Sequence, residues 1–238
     1  MGLQRNILLL SDAFDDLPDP NNALTDPDGL AAVGGDLSTD RLLFLYQHGF
    51  FPWYSAPDPI LWWHPSKRCL LFPAAFHCSR SLKKDIRRFN GEIRINHAFQ
   101  QVIQHCSDQR KHLEGTWISN EIIDAFTKLH QQGYAHSIEV WLDDRLVGGF
   151  YGIAMGELFF GESMFSLIDN ASKYALYAFC QAAQEFGIEI IDCQVESNHI
   201  MSLGAQLMPR KTFIKSLSQY IPNTRKNFAL LQSKALTL

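Results

Sequence analysis

Three polar side chains stand where a soluble core would rather be apolar. The run Ile188-Glu189-Ile190-Ile191 leads directly into Asp192-Cys193-Gln194. The stretch 188–195 reads as an interior strand. Side chains alternate along a strand, so Asp192 and Gln194 are expected on one face, roughly 7 Å apart, with Cys193 on the other face beside Ile191 and Val195. A carboxylate and a carboxamide in such a setting need partners. They form either a structural hydrogen-bonding unit or a reaction centre. Glu162 is the third group. It follows the aromatic pair Phe159-Phe160 at the end of the strand Gly156-Glu157-Leu158-Phe159-Phe160.

The elements that must position these groups follow from pattern. A series of strands, Ser137–Leu142, Leu146–Ala154 and Glu157–Ser163, is separated by the turn signals Asp143-Asp144 and Met155-Gly156 and reads as a β-meander. A helix over about 170–186 follows, with Tyr174, Ala175, Phe179, Ala182 and Phe186 inward and Gly187 as its stop. The 188–195 strand comes next, and then a short helix from about His199. Meander, helix, strand, helix is the order of an acetyltransferase-like (GNAT) domain. Upstream, residues 119–132 read as a helix carrying Ile122, Ile123, Phe126 and Leu129. Ser38 reads as the N-cap of a helix whose apolar stripe is Leu42, Leu43, Leu45 and Tyr46 and which stops at Gly49. Residues 11–37 are rich in Asp, Pro, Gly and Asn and read as an irregular entry segment. Ser81 reads as the cap of another helix, with Leu82, Ile86 and Phe89 facing the core. Lys83, Lys84, Arg87 and Arg88 fall on its exposed side, either plainly solvated or a phosphate-binding face. The reading is therefore a mixed α/β (α+β) protein: a small N-terminal domain with aromatic loops over residues 1–65, and a GNAT-like mixed-sheet catalytic domain over 66–238.

Composition narrows the classes. The chain has 238 residues, 46% hydrophobic and 19% charged, which suits a globular protein with a substantial core. Its net charge of −4 argues against a coat for duplex nucleic acid and leaves room for a local basic patch. Ile7-Leu8-Leu9-Leu10 is too short for a membrane helix or a secretory core, and Met1-Gly2 lacks the Ser or Thr that myristoylation needs at position 6, which is Asn6. Five scattered cysteines without C-x-x-C argue against a disulfide framework and against zinc, and suit a reducing cytoplasm. No nucleotide-binding glycine loop is present, and neither a metal nor an organic cofactor is expected.

Many ordered segments carry a further signal: LPDPNNAL (17–24), GLAAVGGDLS (29–38), FPWYS (51–55), ILWWHP (60–65), GTWI (115–118), HSIEVW (136–141), LVGGFYG (146–152), FFGESMFS (159–166), ASKYAL (171–176), IDCQV (191–195) and SLGA (202–205). Together they resemble the leucyl/phenylalanyl-tRNA–protein transferase family over about residues 15–215. The resemblance implies the GNAT fold and an aminolysis. Leucine or phenylalanine leaves the 3′ end of its tRNA and joins the α-amine of a protein that begins with Arg or Lys, marking it for degradation. It implies that Asp192 receives or relays a proton, directly or through Gln194, with the tRNA's terminal ribose hydroxyl as a rival shuttle. Gln194 would fix the ester or the amine, and Glu162 would position the amine or the cationic side chain of the acceptor. Phe160, Leu176, Phe179 and Ile191 are the expected pocket for the donor side chain. Trp53 and Trp117 match tryptophans that the family uses near the terminal adenosine, and the 83–88 basic face would hold 3′-end phosphates. Two positions depart from the pattern: Leu17, where phenylalanine is more usual, and His64, where serine is common. The partners expected are aminoacyl-tRNA and the acceptor protein, with no membrane, for a chain acting as a monomer.

Other readings remain at this stage. An acyl-CoA N-acetyltransferase would need an [RQ]-x-x-G-x-[GA] turn, and Arg145–Phe150 lacks its last small residue. A serine hydrolase would need a second glycine after Ser163, where Phe165 stands instead. A reader of tRNA ends or N-terminal degradation signals, without catalysis, would bind the same partners and move nothing.

Overall fold

A computed structural model describes residues 7–111, 116–221 and 236. Met1–Asn6 and Gly115 of the sequence analysis lie outside them. The protein is a mixed α/β fold with two mixed sheets, and seven α-helices lie among the described residues. The small sheet has the order β1-β2-β4-β3, from β1 (Leu8–Leu10), β2 (Leu30–Gly34), β3 (Phe51–Pro52) and β4 (Leu61–Trp63), with α1 (Thr39–Gln47) between β2 and β3. The large sheet has the order β11-β5-β10-β9-β8-β7-β6. Its strands are β5 (Lys67–Leu71), β6 (Glu92–Ile95), β7 (Ala135–Leu142), β8 (Arg145–Met155), β9 (Leu158–Ser166), β10 (Ile190–Asp192) and β11 (Gln206–Pro209). All neighbours in it are antiparallel except β9 and β10.

Alternation along the central strands sorts the core into two layers. Val140, Phe150, Phe159 and Ile191 pack with α2 (Arg80–Ile86) and α5 (Ala171–Ala182) on one face. Trp141, Tyr151, Phe160 and Ile190 pack with α1, α3 (Phe99–Lys111), α4 (Asn120–Gln131) and α7 (Arg210–Tyr220) on the other. This is the period of 2 that a sheet buried on both faces requires. The β7–β8 turn places Asp143 and Asp144 at φ +49° and +55°, a left-handed pair that matches strand twist. Ser119 caps α4 by accepting from the Ile122 amide at 3.3 Å, and Ile122, Ala125, Phe126 and Leu129 face inward.

Several expectations are corrected. Ser79, not Ser81, caps α2, accepting from the Leu82 amide at 3.2 Å, and Ser81 lies inside the helix. Phe89 lies beyond the helix and is half-buried, against Tyr174 at 4.8 Å between ring centroids. The 11–37 segment is not wholly irregular, because Leu30–Gly34 is a strand paired on both sides. The 188–195 strand ends early, at Asp192. The short helix expected from about His199 is α6, Asn198–Ser202.

Candidate active site

The parallel pair β9 and β10 stays together for three residues, Ile190 beside Leu158, Ile191 beside Phe159 and Asp192 beside Phe160. Then the strands part. Gln194 takes a left-handed backbone, φ +63°, and the chain turns off toward α6, while β9 runs on to Ser166 paired with β8. A cavity of about 390 Å³ opens in this fork, within the size range of small-molecule sites, roughly 300–1,000 Å³. Ligands bind at such divisions beyond the carboxyl ends of parallel strands. The fork lets the cavity touch both faces of the sheet. Phe150, Met164, Leu176, Ile191 and Ile200 supply an apolar wall, and Glu162, Gln194, Tyr151 and Arg110 a polar one.

Glu162 reaches the cavity because β9 bulges there. Gly161 pairs with Gly152 and Ser163 with Tyr151, so Glu162 is the unpaired extra residue. A bulge re-aims a side chain in this way. The crowding demands glycine at 152, since a Cβ there would overlap the Phe160 carbonyl oxygen. Glu162 is 7% exposed. Its Oε1 accepts from the Tyr46 hydroxyl at 2.8 Å and from the Gln194 amide nitrogen at 2.7 Å. Its Oε2 is buried without a partner, and so is the Tyr151 hydroxyl. Burial penalises the charged carboxylate and pushes its pKa up to about 8. The nearby charge of Asp192 adds to the rise, while the two hydrogen bonds and Arg68 oppose it.

Asp192 is built differently. It is fully buried and does not line the cavity. Arg68 grips it with Nε at 2.8 and 2.9 Å and Nη2 at 2.7 Å. The guanidinium is held between the rings of Phe51 and Phe213, 4.8 Å from each centroid, and Nη1 donates to the Gly49 carbonyl at 2.9 Å. Asp192 Oδ1 also accepts from the Gln194 amide N–H at 2.8 Å. Asp192 and Gln194 therefore do not present a shared strand face. The carboxylate fixes the turn that carries the amide, and the Gln194 side chain swings to Glu162.

Of the expected pocket residues, Leu176 and Ile191 line the cavity together. Phe160 and Phe179 do not. Phe160 lies in the opposite layer, edge-on to Tyr46 at 5.3 Å, because alternation sends it to the α1 face. Phe179 sits one turn deeper than Leu176, against Phe159 and Phe150 at 4.8 and 5.6 Å. Trp53 and Trp117 both line the cavity. Trp53 is 44% exposed and leans on Trp63 at 5.5 Å. The Arg110 guanidinium lies 5.9 Å from the Trp117 ring and donates through Nε to Ser163 at 3.0 Å. Lys83, Lys84, Arg87 and Arg88 are exposed and lie outside the cavity wall. Sequence reasoning missed Arg68 and Arg110, and took Tyr46 for core alone. The one available signal for Arg68 was a cation heading the apolar run Cys69-Leu70-Leu71. His64 is buried against Phe50 and Phe213, and burial pulls its pKa down to about 3, with Arg68 and Arg210 assisting.

Residues 70–218 match the sequence profile of the leucyl/phenylalanyl-tRNA protein transferase family, and residues 35–66 match the profile of its N-terminal domain. The chain is 54% identical over 203 residues to the leucyl/phenylalanyl-tRNA–protein transferase of Pectobacterium carotovorum, covering 85% of this chain and 86% of that one. The chain belongs to the leucyl/phenylalanyl-tRNA–protein transferase family. The transferase of Klebsiella pneumoniae is 53% identical over 84% of this chain and 85% of its own, and that of Escherichia coli 51% over 85% and 86%. A solved structure, the crystal structure of FemX, superposes with a TM-score of 0.46 and 12% identity over 72% of this chain and 66% of its own, too low to carry a statement about fold. The protein is thus an aminoacyltransferase. Among the described residues no helix is long and apolar enough to cross a membrane, and no group of three His, Cys, Asp or Glu side chains could hold a metal.

Proposed function

We propose that this transferase moves leucine or phenylalanine from the tRNA 3′ end to the α-amine of proteins beginning with Arg or Lys, tagging them for degradation in the cytoplasm. Glu162 acts as the base. The observation that carries this reading is a carboxyl raised to about 8, on the wall of an apolar cavity and with one oxygen unpartnered. An α-amine titrates near 7.7–8.0, so donor and acceptor are matched and the proton moves with little driving force against it. The neutral amine attacks the ester carbonyl, the ionised form of Glu162 takes the amine's proton on Oε2 and hands it to the departing ribose oxygen, and that oxygen leaves as a hydroxyl while the new amide forms. Gln194 spends its amide nitrogen on Glu162 and keeps its oxygen to orient the amine. Asp192 acts through Arg68 and the Gln194 backbone as a positioning residue and takes no proton itself.

Leu176 and Ile191, with Phe150, Met164 and Ile200, suit an apolar donor side chain. Trp53 and Trp117 supply ring faces for the terminal adenosine, and such stacking contributes about 1–3 kcal/mol per base. Lys83 and Lys84 on α2, with Arg87 and Arg88 just after its end, hold the phosphates behind it. The working unit in this reading is a monomer.

The test mixes labelled leucyl-tRNA with a peptide that begins with Arg, and with the same peptide N-acetylated. Label is expected in the free peptide alone. Label that stays on the tRNA, or appears equally in a peptide beginning with Asp, would overturn the reading.

A further inference from the structure

We propose that Cys69 and Cys193 form a disulfide under peroxide, and that this bond switches the transfer off. The two residues lie opposite each other where β5 meets the turn after β10. The Cys193 amide donates to the Cys69 carbonyl at 2.9 Å, and the Cys69 amide donates to the Gln194 carbonyl at 3.2 Å. The antiparallel register of Ile191 with Leu71 and Asp192 with Leu70 ends one residue earlier, and Cys193 and Gln194 both bond to Cys69 across the break. The Cys193–Cys69 backbone bond makes the two residues cross-strand neighbours, and such neighbours have α-carbons ~4.5–5.5 Å apart, inside the roughly 4.4–6.8 Å that a disulfide spans. Cys193 lines the cavity, which gives an oxidant its entry, while Cys69 is buried behind it.

The thiols also influence each other. Their mutual hydrogen bond is the first cause of a lowered pKa at Cys69 and of a raised one at Cys193. The pair as a unit therefore gives up its first proton more readily than an isolated thiol, because the second thiol donates to the thiolate left behind. The remaining cysteines are poorer targets. Burial pushes Cys106 and Cys180 up to about 12, and burial also raises Cys78.

The chemistry balances with hydrogen peroxide as oxidant. A thiolate of the pair attacks the O–O bond and becomes a sulfenic acid, and the hydroxide released takes up the proton the thiol had shed and leaves as water. The second sulfur attacks the first, the S–S bond forms, and a second water leaves. Two thiols and one peroxide give one disulfide and two waters. The consequence falls on the neighbour. Drawing Cys193 toward β5 moves the left-handed turn at Gln194, whose amide nitrogen holds Glu162. This second half of the inference rests on the reading of Glu162 and Gln194 given above.

The experiment treats the full chain with hydrogen peroxide and counts thiols by mass spectrometry. The count is expected to fall from five to three, with one cross-linked peptide pair joining Cys69 to Cys193. Transfer to an Arg peptide should drop at least tenfold and return with dithiothreitol. Cys69→Val should transfer like the parent when reduced and form no internal link. A count that stays at five, a bond to Cys78, Cys106 or Cys180, or a linked protein that transfers at full rate would overturn the proposal. The link is read by mass, so it stands or falls even if the reduced chain proves unable to transfer.

Discussion

Replacing Glu162 by glutamine should make the protein more stable, and increasingly so as pH rises. The folded-state pKa of Glu162 is about 8 against 4.5 for an ordinary glutamate, with burial as the dominant cause. Below pH 4.5 the carboxyl is protonated whether the chain is folded or not, and its stabilising difference is fully present. Between 4.5 and about 8 the unfolded chain releases a proton that the folded chain keeps, so folding becomes less favourable with each unit of pH. The slope is 1.36 kcal/mol per unit for one proton. Over this window the loss amounts to about 5 kcal/mol, which corresponds to roughly 10–20 °C in Tm for a chain of this size. Above pH 8 the loss is complete and the curve levels. Glutamine has nearly the same shape, keeps the bonds to Tyr46 and Gln194 within reach, and does not titrate. Urea unfolding of the parent and Glu162→Gln at half-unit intervals from pH 4.5 to 9 isolates the effect, since all other titrating groups are common to both. The difference should grow through this window in favour of the variant, while transfer activity falls by two orders of magnitude or more. A flat difference, or a variant that weakens toward pH 9, would refute the assignment of a neutral buried carboxyl.

Two further outcomes follow from the same geometry. Asp192→Ala leaves Arg68 charged and unpaired between Phe51 and Phe213, so stability should fall by about 3–5 kcal/mol; Asp192→Leu with Arg68→Met should recover most of it. Denaturant melts check both, and a single variant as stable as the parent would show that the pair holds nothing together. Reversing Lys83, Lys84, Arg87 and Arg88 to Glu should weaken tRNA binding and flatten its salt dependence, because each neutralised phosphate contributes about one unit to the log–log slope. Filter binding across salt measures this, and an unchanged slope would return the α2 face to plain solvation.

Much of the scaffold was legible because local rules and burial agree there. The meander from 135 to 166, the helix after it and the strand ending at Asp192 each carry a pattern long enough to read. The edge strands β6 and β11, the short strand β5 between β11 and β10, and the helices α3 and α7 were not read, since short strands carry little alternation and α3 mixes its apolar stripe with many polar residues. At the site, residue types pointed to Glu162, Asp192 and Gln194, but alternation alone misplaced their geometry. Period 2 assumes a continuous strand. A bulge at Glu162 and a left-handed turn at Gln194 each break it, and neither leaves a mark in a sequence beyond a nearby Gly161 or an ordinary glutamine. The same assumption put Phe160 beside Ile191, although they face opposite layers.

The buried ion pair explains why the site can draw on residues so far apart in the chain. Arg68 is the second residue of β5, Asp192 ends β10, and the Gly49 carbonyl that Arg68 also engages belongs to the turn after α1. That turn must be tight: Gly49 has φ +83°, and a Cβ there would stand 3.0 Å from His64, Phe213 and Leu217. One guanidinium thus joins the α1 turn, the strand β5 and the strand fork. Tyr46, one turn earlier on α1, then reaches Glu162, and Trp53, just beyond β3, reaches the cavity mouth. Such a centre stabilises by fixing geometry more than by net energy, since two buried charges lose hydration that their attraction only offsets. An apolar substitute could hold the layers together equally well. It could not bind the Gln194 amide N–H, and without that bond the left-handed turn that brings Gln194 to Glu162 is held only by its carbonyl-side contact with Cys69.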